Sequence, residues 1–287
     1  MQKYQLLSKD KKKLTVFDWK PKGYTHTVLL IHGQGEHLGR YLHFGEEARE
    51  KGFRCIGLDL RGHGLSEGQR GHISRWHIYF EDLDNVVNLI RGSFSIVGHS
   101  MGGLIALGYY FSRLKKEKRI CSISTSAPLL KIGFKSAAWK ELMSKILTTV
   151  WPTLSIPSGL PLNELSNIQS AINTYKEDPL RVRNVTPRWY TEMKQEANRV
   201  RESVHKASIP LFMHTASDDT VCSTEEMLDL ARQWPHSESE LKKWPKTKHE
   251  LFQEHSAKET ITCILNQIET SLKNHSTRSQ KSTKNTL

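Results

Sequence analysis

Short apolar runs alternate with longer amphipathic stretches along most of this 287-residue chain. Several runs have the length and composition of buried strands that end in turns: THTVLLIHG, FRCIGLDLRG, SFSIVGHS, RICSISTSAP and IPLFMHTASD. Other stretches carry apolar residues at helical spacing: IYFEDLDNVVNLIRG, MGGLIALGYYFSRLKK and ETITCILNQIETSLKN. This alternation predicts an α/β fold with a mostly parallel sheet that is flanked by helices.

One region interrupts the alternation between the predicted strands RICSISTSAP and IPLFMHTASD. Helical patterns and prolines predominate there, and no convincing strand is visible. We therefore expect a helical cap at residues 129–207, inserted over the edge of the sheet. The sheet domain is then predicted at residues 1–128 and 208–273, and a polar, disordered tail at residues 274–287.

Two serines occupy a Gly-x-Ser-x-Gly pattern, and their surroundings distinguish them. Ser100, in GHSMG, follows a predicted strand and precedes a predicted helix, which is the arrangement of a nucleophile elbow. Ser66, in GLSEG, follows a glycine-rich loop, and no helical pattern comes after it. We therefore identify Ser100 as the candidate nucleophile and exclude Ser66.

Two backbone amides are candidates for stabilising an oxyanion next to Ser100. The Met101 N–H lies at the start of the predicted helix, where the dipole favours negative charge. In this architecture the second donor follows a strand that ends in His-Gly, and here that residue is Gln34, in LLIHGQGEH. The glycines of this loop are one residue too far apart for a dinucleotide-binding Gly-x-Gly-x-x-Gly motif.

A serine nucleophile requires a general base and an acid that orients the base. His249 is the candidate base, because it lies between a last predicted strand, LKKWPKTK, and the final helical region. Asp218 and Asp219 both follow a late strand, and either is a candidate acid. The stretch HELFQEH lacks the His-Glu-x-x-His spacing of a zinc site, so no metal is expected.

Composition narrows the class of protein. The formal net charge of +12 favours anionic surfaces, but no zinc-finger spacing or RNP-like strand indicates nucleic-acid binding. The four cysteines form no Cys-x-x-Cys pair, which is typical of free thiols in a reducing compartment. No signal peptide is visible, and no run approaches about 18 consecutive apolar residues. We expect a cytoplasmic protein that is at most peripheral to a membrane.

Several motifs together resemble the monoacylglycerol lipase and lysophospholipase group of the α/β-hydrolase superfamily, which are serine aminopeptidase S33-like hydrolases. They occur in the family's order and cover nearly the whole chain before the tail: HGQGEHLGRY, DLRGHGLSEG, GHSMGG, YKEDPL, SDDTVC and HELFQE. The resemblance implies an eight-stranded α/β-hydrolase sheet with a helical cap. It also favours Asp219 over Asp218, because Asp-Thr-Val resembles the pattern after this strand in related enzymes.

The resemblance further implies a role for each site residue. Those roles are Ser100 as nucleophile, Asp219 as acid, His249 as base, and the backbone N–H groups of Gln34 and Met101 as the oxyanion hole. Glu36 and Arg40 occupy the loop that surrounds the substrate's polar head in the lipases, and a salt bridge that only fixes this loop is an open alternative. Phe252 stands where animal monoacylglycerol lipases carry a second histidine, so the head-group preference is open.

The resemblance implies a serine hydrolase that cleaves carboxylic esters of monoacyl lipids through an acyl-enzyme, without a metal or organic cofactor. Monoacylglycerol is the first substrate hypothesis, and lysophospholipid is the alternative. Less favoured are a proline-iminopeptidase-type peptidase, which needs an acidic site in the cap, and a non-catalytic receptor. The stretch AAWKELMSKILTTVW is amphipathic. It is predicted to contact an anionic membrane surface, to line an acyl channel, or to pack on the core of the cap itself.

Overall fold

A computed structural model describes residues 1–134 and 146–284, with side chains described as far as residue 277. Its strands, in chain order, are β1 (Gln2–Leu7), β2 (Lys13–Trp19), β3 (Thr27–Ile31), β4 (Arg54–Leu58), β5 (Phe94–His99), β6 (Ile120–Ser126), β7 (Ile156–Pro157), β8 (Asn184–Val185), β9 (Leu211–Ala216) and β10 (Glu240–Trp244). Eight of them form one sheet in the order β1-β2-β4-β3-β5-β6-β9-β10. β2 is antiparallel to β1 and β4, and all other pairs in this sheet are parallel. The prediction of a mostly parallel sheet is confirmed.

Among the described residues, helices cover both faces of the sheet, and others lie in the segment between β6 and β9. They are α1 (Leu42–Glu50), α2 (His77–Val87), α3 (Met101–Tyr109), α4 (Gln169–Glu177), α5 (Pro187–Ser203), α6 (Thr224–Gln233) and α7 (Ala257–Lys284). Successive residues of β3 face opposite cores. Leu29 and Ile31 pack in the cluster that contains α2 and α3, whereas Val28 and Leu30 pack in the cluster that contains α1 and α7. A strand buried on both faces needs continuous apolar residues, which explains the unbroken run in the sequence.

We call the segment between β6 and β9, which includes the residues of the predicted insertion, the cap. It contains α4, α5 and the antiparallel pair β7–β8. The expectation of no strand in this segment was wrong, because a two-residue strand is too short to produce a sequence periodicity. Residues 146–150 are helical, but the preceding part of the amphipathic stretch, at 135–145, lies outside the described residues.

Contacts from the cap fix it over the ends of the parallel strands. The Val182 N–H donates to the Gly35 carbonyl oxygen at 3.0 Å, and the Thr186 N–H donates to Gly71 at 3.1 Å. His37 Nε2 lies 2.8 Å from Asp178 Oδ2. The cap therefore covers the loop that follows β3.

The predicted disordered tail is a second difference, because α7 continues to Lys284. The Ser276 and Thr277 hydroxyls donate to the carbonyl oxygens of Leu272 and Lys273, each at 3.0 Å. The buried face of α7 nucleates the helix, and extending an existing helix costs much less free energy than starting one. Polar composition alone therefore misplaced the boundary. Among the described residues, no helix has the length and apolar content needed to cross a bilayer.

Buried histidines make the stability of this fold sensitive to acid. Burial is the largest cause that lowers the pKa of each member of this group: His26, His32, His63, His99 and His214. The unfolded chain, in which a histidine titrates near 6.5, therefore binds more protons than the folded chain below that pH. We expect the free energy of unfolding to be greatest above pH 6.5. As the pH decreases below 6.5, the free energy of unfolding should decrease by up to about 1.4 kcal/mol per pH unit for each of these histidines.

Urea unfolding at pH 7.5, 6 and 5 measures this effect. His26→Asn removes one titrating group, whose pKa is lowered to about 3, so its pH slope should be shallower than that of the wild type. An unfolding free energy that stays constant from pH 7.5 to pH 5 would contradict the prediction.

Candidate active site

The backbone at Ser100 forms a strained turn between β5 and α3. Ser100 has φ +52° and ψ −116°, in a left-handed region that serine rarely adopts. A Cβ atom on Gly98 would overlap the Gly102 carbonyl oxygen, and one on Gly102 would overlap that of Ile31. The glycines of the GHSMG motif are therefore required by close backbone packing, and the turn directs the Ser100 hydroxyl toward the carboxyl end of the sheet.

Three predicted residues from distant parts of the chain meet in one hydrogen-bonded chain. His249 Nε2 lies 3.0 Å from Ser100 Oγ, and His249 Nδ1 lies 2.9 Å from Asp219 Oδ2. The other carboxylate oxygen of Asp219 accepts the backbone N–H groups of Val221 and Cys222, both at 2.9 Å. This is the connectivity of a serine–histidine–acid triad.

The rejected alternatives lie elsewhere. Asp218 follows β9 like its neighbour, but the residue is exposed. Its only hydrogen bond within the described residues is the one that its backbone N–H donates to the Thr247 carbonyl oxygen, at 3.0 Å. The buried Ser66 hydroxyl donates to the Asp59 carbonyl oxygen and accepts the Thr15 N–H at 2.9 Å. Ser66 therefore holds two core segments together.

Electrostatics favour charge on the His249–Asp219 pair. Burial alone would lower the pKa of His249, but the carboxylates of Asp219, Glu250 and Glu36 together raise it above 6.5, and Asp219 contributes most of this increase. Burial would likewise raise the pKa of Asp219, but His249 and the backbone donors lower it. Burial lowers the pKa of His99, whose ring centroid is 4.9 Å from that of His249, to about 3. His99 is therefore neutral and adds no competing positive charge.

The predicted oxyanion donors flank the serine. Met101 is the first residue of α3, so its N–H is one of the groups that a helix leaves without an intrahelical partner. A Cβ atom on Gly33 would lie 3.2 Å from Ser100 Cβ, which places the loop before Gln34 against the nucleophile. Neither the Gln34 nor the Met101 backbone N–H donates to another described residue. Both amides are available to a ligand.

Glu36 and Arg40 belong to a buried ionic cluster. Arg40 makes two hydrogen bonds to Glu250, at 3.0 and 2.7 Å, and lies 3.6 Å from Glu36 Oε1. Glu36 also accepts the Gly33 N–H at 3.2 Å and the Tyr41 hydroxyl. The cluster fixes the loop after β3, and Glu36 additionally lines the cavity.

The sequence analysis did not identify Glu250, which follows His249 in the chain. Its partner, Arg40, lies 210 residues away in the sequence. Nothing in the local pattern indicates that contact. Phe252 occupies the position at which the resemblance left the head-group preference open. Its side chain is buried against Phe44, with ring centroids 5.4 Å apart.

A cavity of about 330 Å³ adjoins Ser100 and His249. Most of its wall comes from apolar residues of the cap, which include Ile156, Pro157, Leu160, Leu165, Val182, Val185, Pro187 and Trp189. Its polar end carries Gln34, Glu36, His99 and Glu250. No sequence pattern identified the apolar lining, because these residues come from loops and short segments without periodicity. Among the described residues, no cluster of His, Cys, Asp and Glu has a metal-binding arrangement.

A strained serine elbow on a mostly parallel eight-stranded sheet, with an acid after β9 and a histidine after β10, defines an α/β-hydrolase. A sequence profile of the family described as "Serine aminopeptidase, S33" matches residues 23–256. The chain therefore belongs to this family of hydrolases. The fold is also that of a monoacylglycerol lipase from Paleococcus ferrophilus, with a TM-score of 0.82 and 24% identity over 94% of this chain and 100% of that one.

Three relatives match most of the chain. Phospholipase YtpA of Bacillus subtilis is 28% identical over 83% of this chain and 93% of its own length. Monoglyceride lipase of Rattus norvegicus is 26% identical over 88% of this chain and 84% of its own length. An uncharacterized abhydrolase domain-containing protein of Dictyostelium discoideum is 29% identical over 98% of this chain. This chain spans only 30% of that longer protein.

Proposed function

We propose that this protein hydrolyses carboxylic esters of monoacyl lipids through an acyl-enzyme, with monoacylglycerol as the preferred substrate. The observation that carries the proposal is the hydrogen-bonded chain of Ser100, His249 and Asp219 at one end of an apolar cavity. An apolar wall suits a single acyl chain. The similarity to named monoglyceride lipases supports the same substrate class.

The geometry supports a two-step mechanism. Ser100 attacks the ester carbonyl while His249 accepts its proton, and Asp219 holds the imidazole and stabilises its positive form. The Gln34 and Met101 N–H groups stabilise the tetrahedral oxyanion. The alcohol leaves with the proton from His249, and water then cleaves the acyl-enzyme by the same steps.

Charge at the polar end of the cavity favours a neutral head group. The carboxylates of Glu36 and Glu250 share the single guanidinium of Arg40. These two carboxylates would repel the negative charge of a phosphate and weaken its binding. Glycerol hydroxyls, in contrast, can donate hydrogen bonds to carboxylate oxygens. Lysophospholipid is the second candidate substrate, because one relative is a named phospholipase.

Fatty-acid release from 1-monooleoylglycerol and from two oleoyl lysophospholipids, one zwitterionic and one anionic, tests the proposal. We expect kcat/KM to be highest for the monoacylglycerol and lowest for the anionic lipid. A preference for either lysophospholipid would overturn the head-group assignment. Failure of a fluorophosphonate probe to label Ser100 would instead indicate a non-catalytic protein.

A peptidase of the proline-iminopeptidase type is disfavoured by the cavity. Such an enzyme needs a carboxylate from the cap to bind the substrate's amine, and no acidic residue from the described part of the cap lines the cavity. The carboxylates that do line it, Glu36 and Glu250, are held by Arg40. We expect no release of p-nitroaniline from proline p-nitroanilide.

The activity should depend on the ionisation of His249. The base must be neutral to accept a proton, and the nearby carboxylates, chiefly Asp219, raise its pKa above 6.5 against the effect of burial. We therefore expect kcat/KM to rise with pH and the acidic limb to have its midpoint above 6.5. A pH profile with a water-soluble ester measures this midpoint, and a value at or below 6 would contradict the prediction.

The cap carries apolar side chains that we propose contact an anionic membrane surface. Ile146, Val150 and Trp151 are 49%, 76% and 57% exposed. Clustered apolar side chains of this kind favour insertion into a lipid interface, and the net charge of +12 adds attraction to anionic lipid.

Replacing Val150 and Trp151 with serine should weaken sedimentation with phosphatidylglycerol vesicles by about 10-fold, because both side chains then lose their transfer into the interface. Leu241→Ser is the matched control, since Leu241 is 41% exposed on β10, outside the cap. Equal loss in the control and the cap variant would show that the cap is not the contact surface.

A further inference from the structure

The His32 side chain, which follows β3, makes two hydrogen bonds that define its protonation state. The residue is buried, and the Leu60 backbone N–H donates to His32 Nε2 at 2.9 Å. Because an amide N–H can only donate, Nε2 carries no proton. The proton of the neutral ring is therefore on Nδ1, which donates to the Gly33 carbonyl oxygen at 2.8 Å. Burial lowers the pKa of His32 well below 6.5, in agreement with a neutral ring.

The carbonyl that His32 holds belongs to the peptide that carries the Gln34 N–H. A trans peptide is planar, so its C=O and N–H point in opposite directions. Fixing the Gly33 oxygen therefore fixes the direction of the Gln34 hydrogen. A hydrogen bond to the carbonyl also polarises the peptide and makes its N–H a stronger donor.

The backbone on both sides of this peptide is closely packed, and few other groups bind the Gly33 carbonyl oxygen. Gly33 lies against Ser100, where even a Cβ atom would be 3.2 Å from the serine Cβ. The N-terminus of α3 also packs against the preceding peptide, since a Cβ on Gly102 would lie 2.6 Å from the His32 carbonyl oxygen. The Glu36 N–H also approaches the Gly33 oxygen, but at 3.4 Å, which is a longer contact than that of His32.

We propose that His32 is a positioning residue of the oxyanion hole, whose Nδ1–H orients the Gly33–Gln34 peptide so that the Gln34 N–H points at the developing oxyanion. His32 exchanges no proton with the substrate and acts only through this peptide. The inference rests on the proposed function, in which Ser100 forms a tetrahedral intermediate.

Two substitutions separate the contacts of His32. His32→Asn places an amide nitrogen near the Nδ1 position and can still donate to Gly33. His32→Gln places its amide near the Nε2 position and can accept from Leu60, but it loses the contact with Gly33. If His32 has only a structural role, His32→Gln, which keeps the contact with Leu60, should be at least as active as His32→Asn. If His32 positions the peptide, His32→Asn, which keeps the contact with Gly33, should be the more active variant.

The experiment compares p-nitrophenyl butyrate hydrolysis by wild type and both variants. We expect His32→Gln to lower kcat by about 10- to 100-fold, because complete loss of an oxyanion donor costs roughly 10²- to 10³-fold. KM should stay within about 2-fold of wild type and the pH midpoint should not move. Affinity for a trifluoromethyl ketone, which mimics the tetrahedral intermediate, should weaken in parallel with kcat/KM. His32→Asn should retain most of the activity.

His26→Gln is the control, because His26 is also a buried neutral histidine but lies at the opposite end of β3. Its thermal stability should fall while kcat is unchanged. A kcat for His32→Gln within twofold of wild type, or equal losses in two folded His32 variants, would overturn this inference alone. A wild-type protein that cleaves no ester would overturn the proposed function and this inference together.

Discussion

Ser100→Ala is expected to lower kcat toward monoacyl esters by a factor of about 10⁶, to the residual catalysis that substrate binding and the oxyanion donors provide. The reason is that His249 Nε2 forms a hydrogen bond with Ser100 Oγ at 3.0 Å and with no other hydroxyl among the described residues. Alanine keeps the turn but removes the atom that forms the acyl-enzyme. Fatty-acid release and covalent labelling by a fluorophosphonate, located by mass spectrometry, measure the loss.

Ser66→Ala is the matched control, because Ser66 occupies the same Gly-x-Ser-x-Gly pattern. It should turn over substrate within about twofold of wild type. Its thermal stability should fall, since the hydroxyl binds the Asp59 carbonyl oxygen and the Thr15 N–H in the core. Substantial turnover by Ser100→Ala, or loss of labelling in Ser66→Ala, would refute the assignment of the nucleophile.

Asp219→Asn is expected to lower kcat by about 10⁴-fold with little change in KM. The buried carboxylate contacts His249 Nδ1 at 2.9 Å and raises the pKa of the imidazole. An amide cannot stabilise the imidazolium that forms when Ser100 loses its proton, and it can hold the ring in the wrong tautomer. Steady-state kinetics with a soluble ester and a lipid ester measure the two parameters separately.

Asp218→Asn removes the same charge at the next position and provides the comparison. Asp218 is exposed, and its side chain binds no other described residue, so kcat should remain within about twofold of wild type. If both variants lost activity equally, net charge rather than the contact with His249 would be responsible, and the assignment of the acid would fail.

The sequence located the elbow but could not choose between the two acids. Ser100 is recognised locally, because the strand, the tight turn and the helix all lie within about 20 residues around it. Asp218 and Asp219 have the same local surroundings, and only the family resemblance favoured one of them. In the fold, the turn after β9 directs Asp219 toward His249 and gives it the N–H groups of Val221 and Cys222.

The hydrophobic and polar pattern of the sequence also did not predict the long-range contacts. The Arg40–Glu250 pair and the hydrogen bond from His32 to Gly33 depend on how loops from different strands meet. The two-residue strands β7 and β8 have no periodicity to detect, and the tail of α7 is helical because it extends a helix that is already packed.

The amino-acid sequence by itself predicted the α/β class, the central strands β3, β4, β5, β6 and β9, Ser100 as the nucleophile and an inserted cap after β6. These follow from hydrophobic periodicity and turn chemistry, which act over neighbouring residues. Only the tertiary structure decided which carboxylate orients His249, what Arg40 binds, and how the cap lines the cavity. Those outcomes depend on distances between segments that are 30 to 210 residues apart in the chain, which no local pattern encodes.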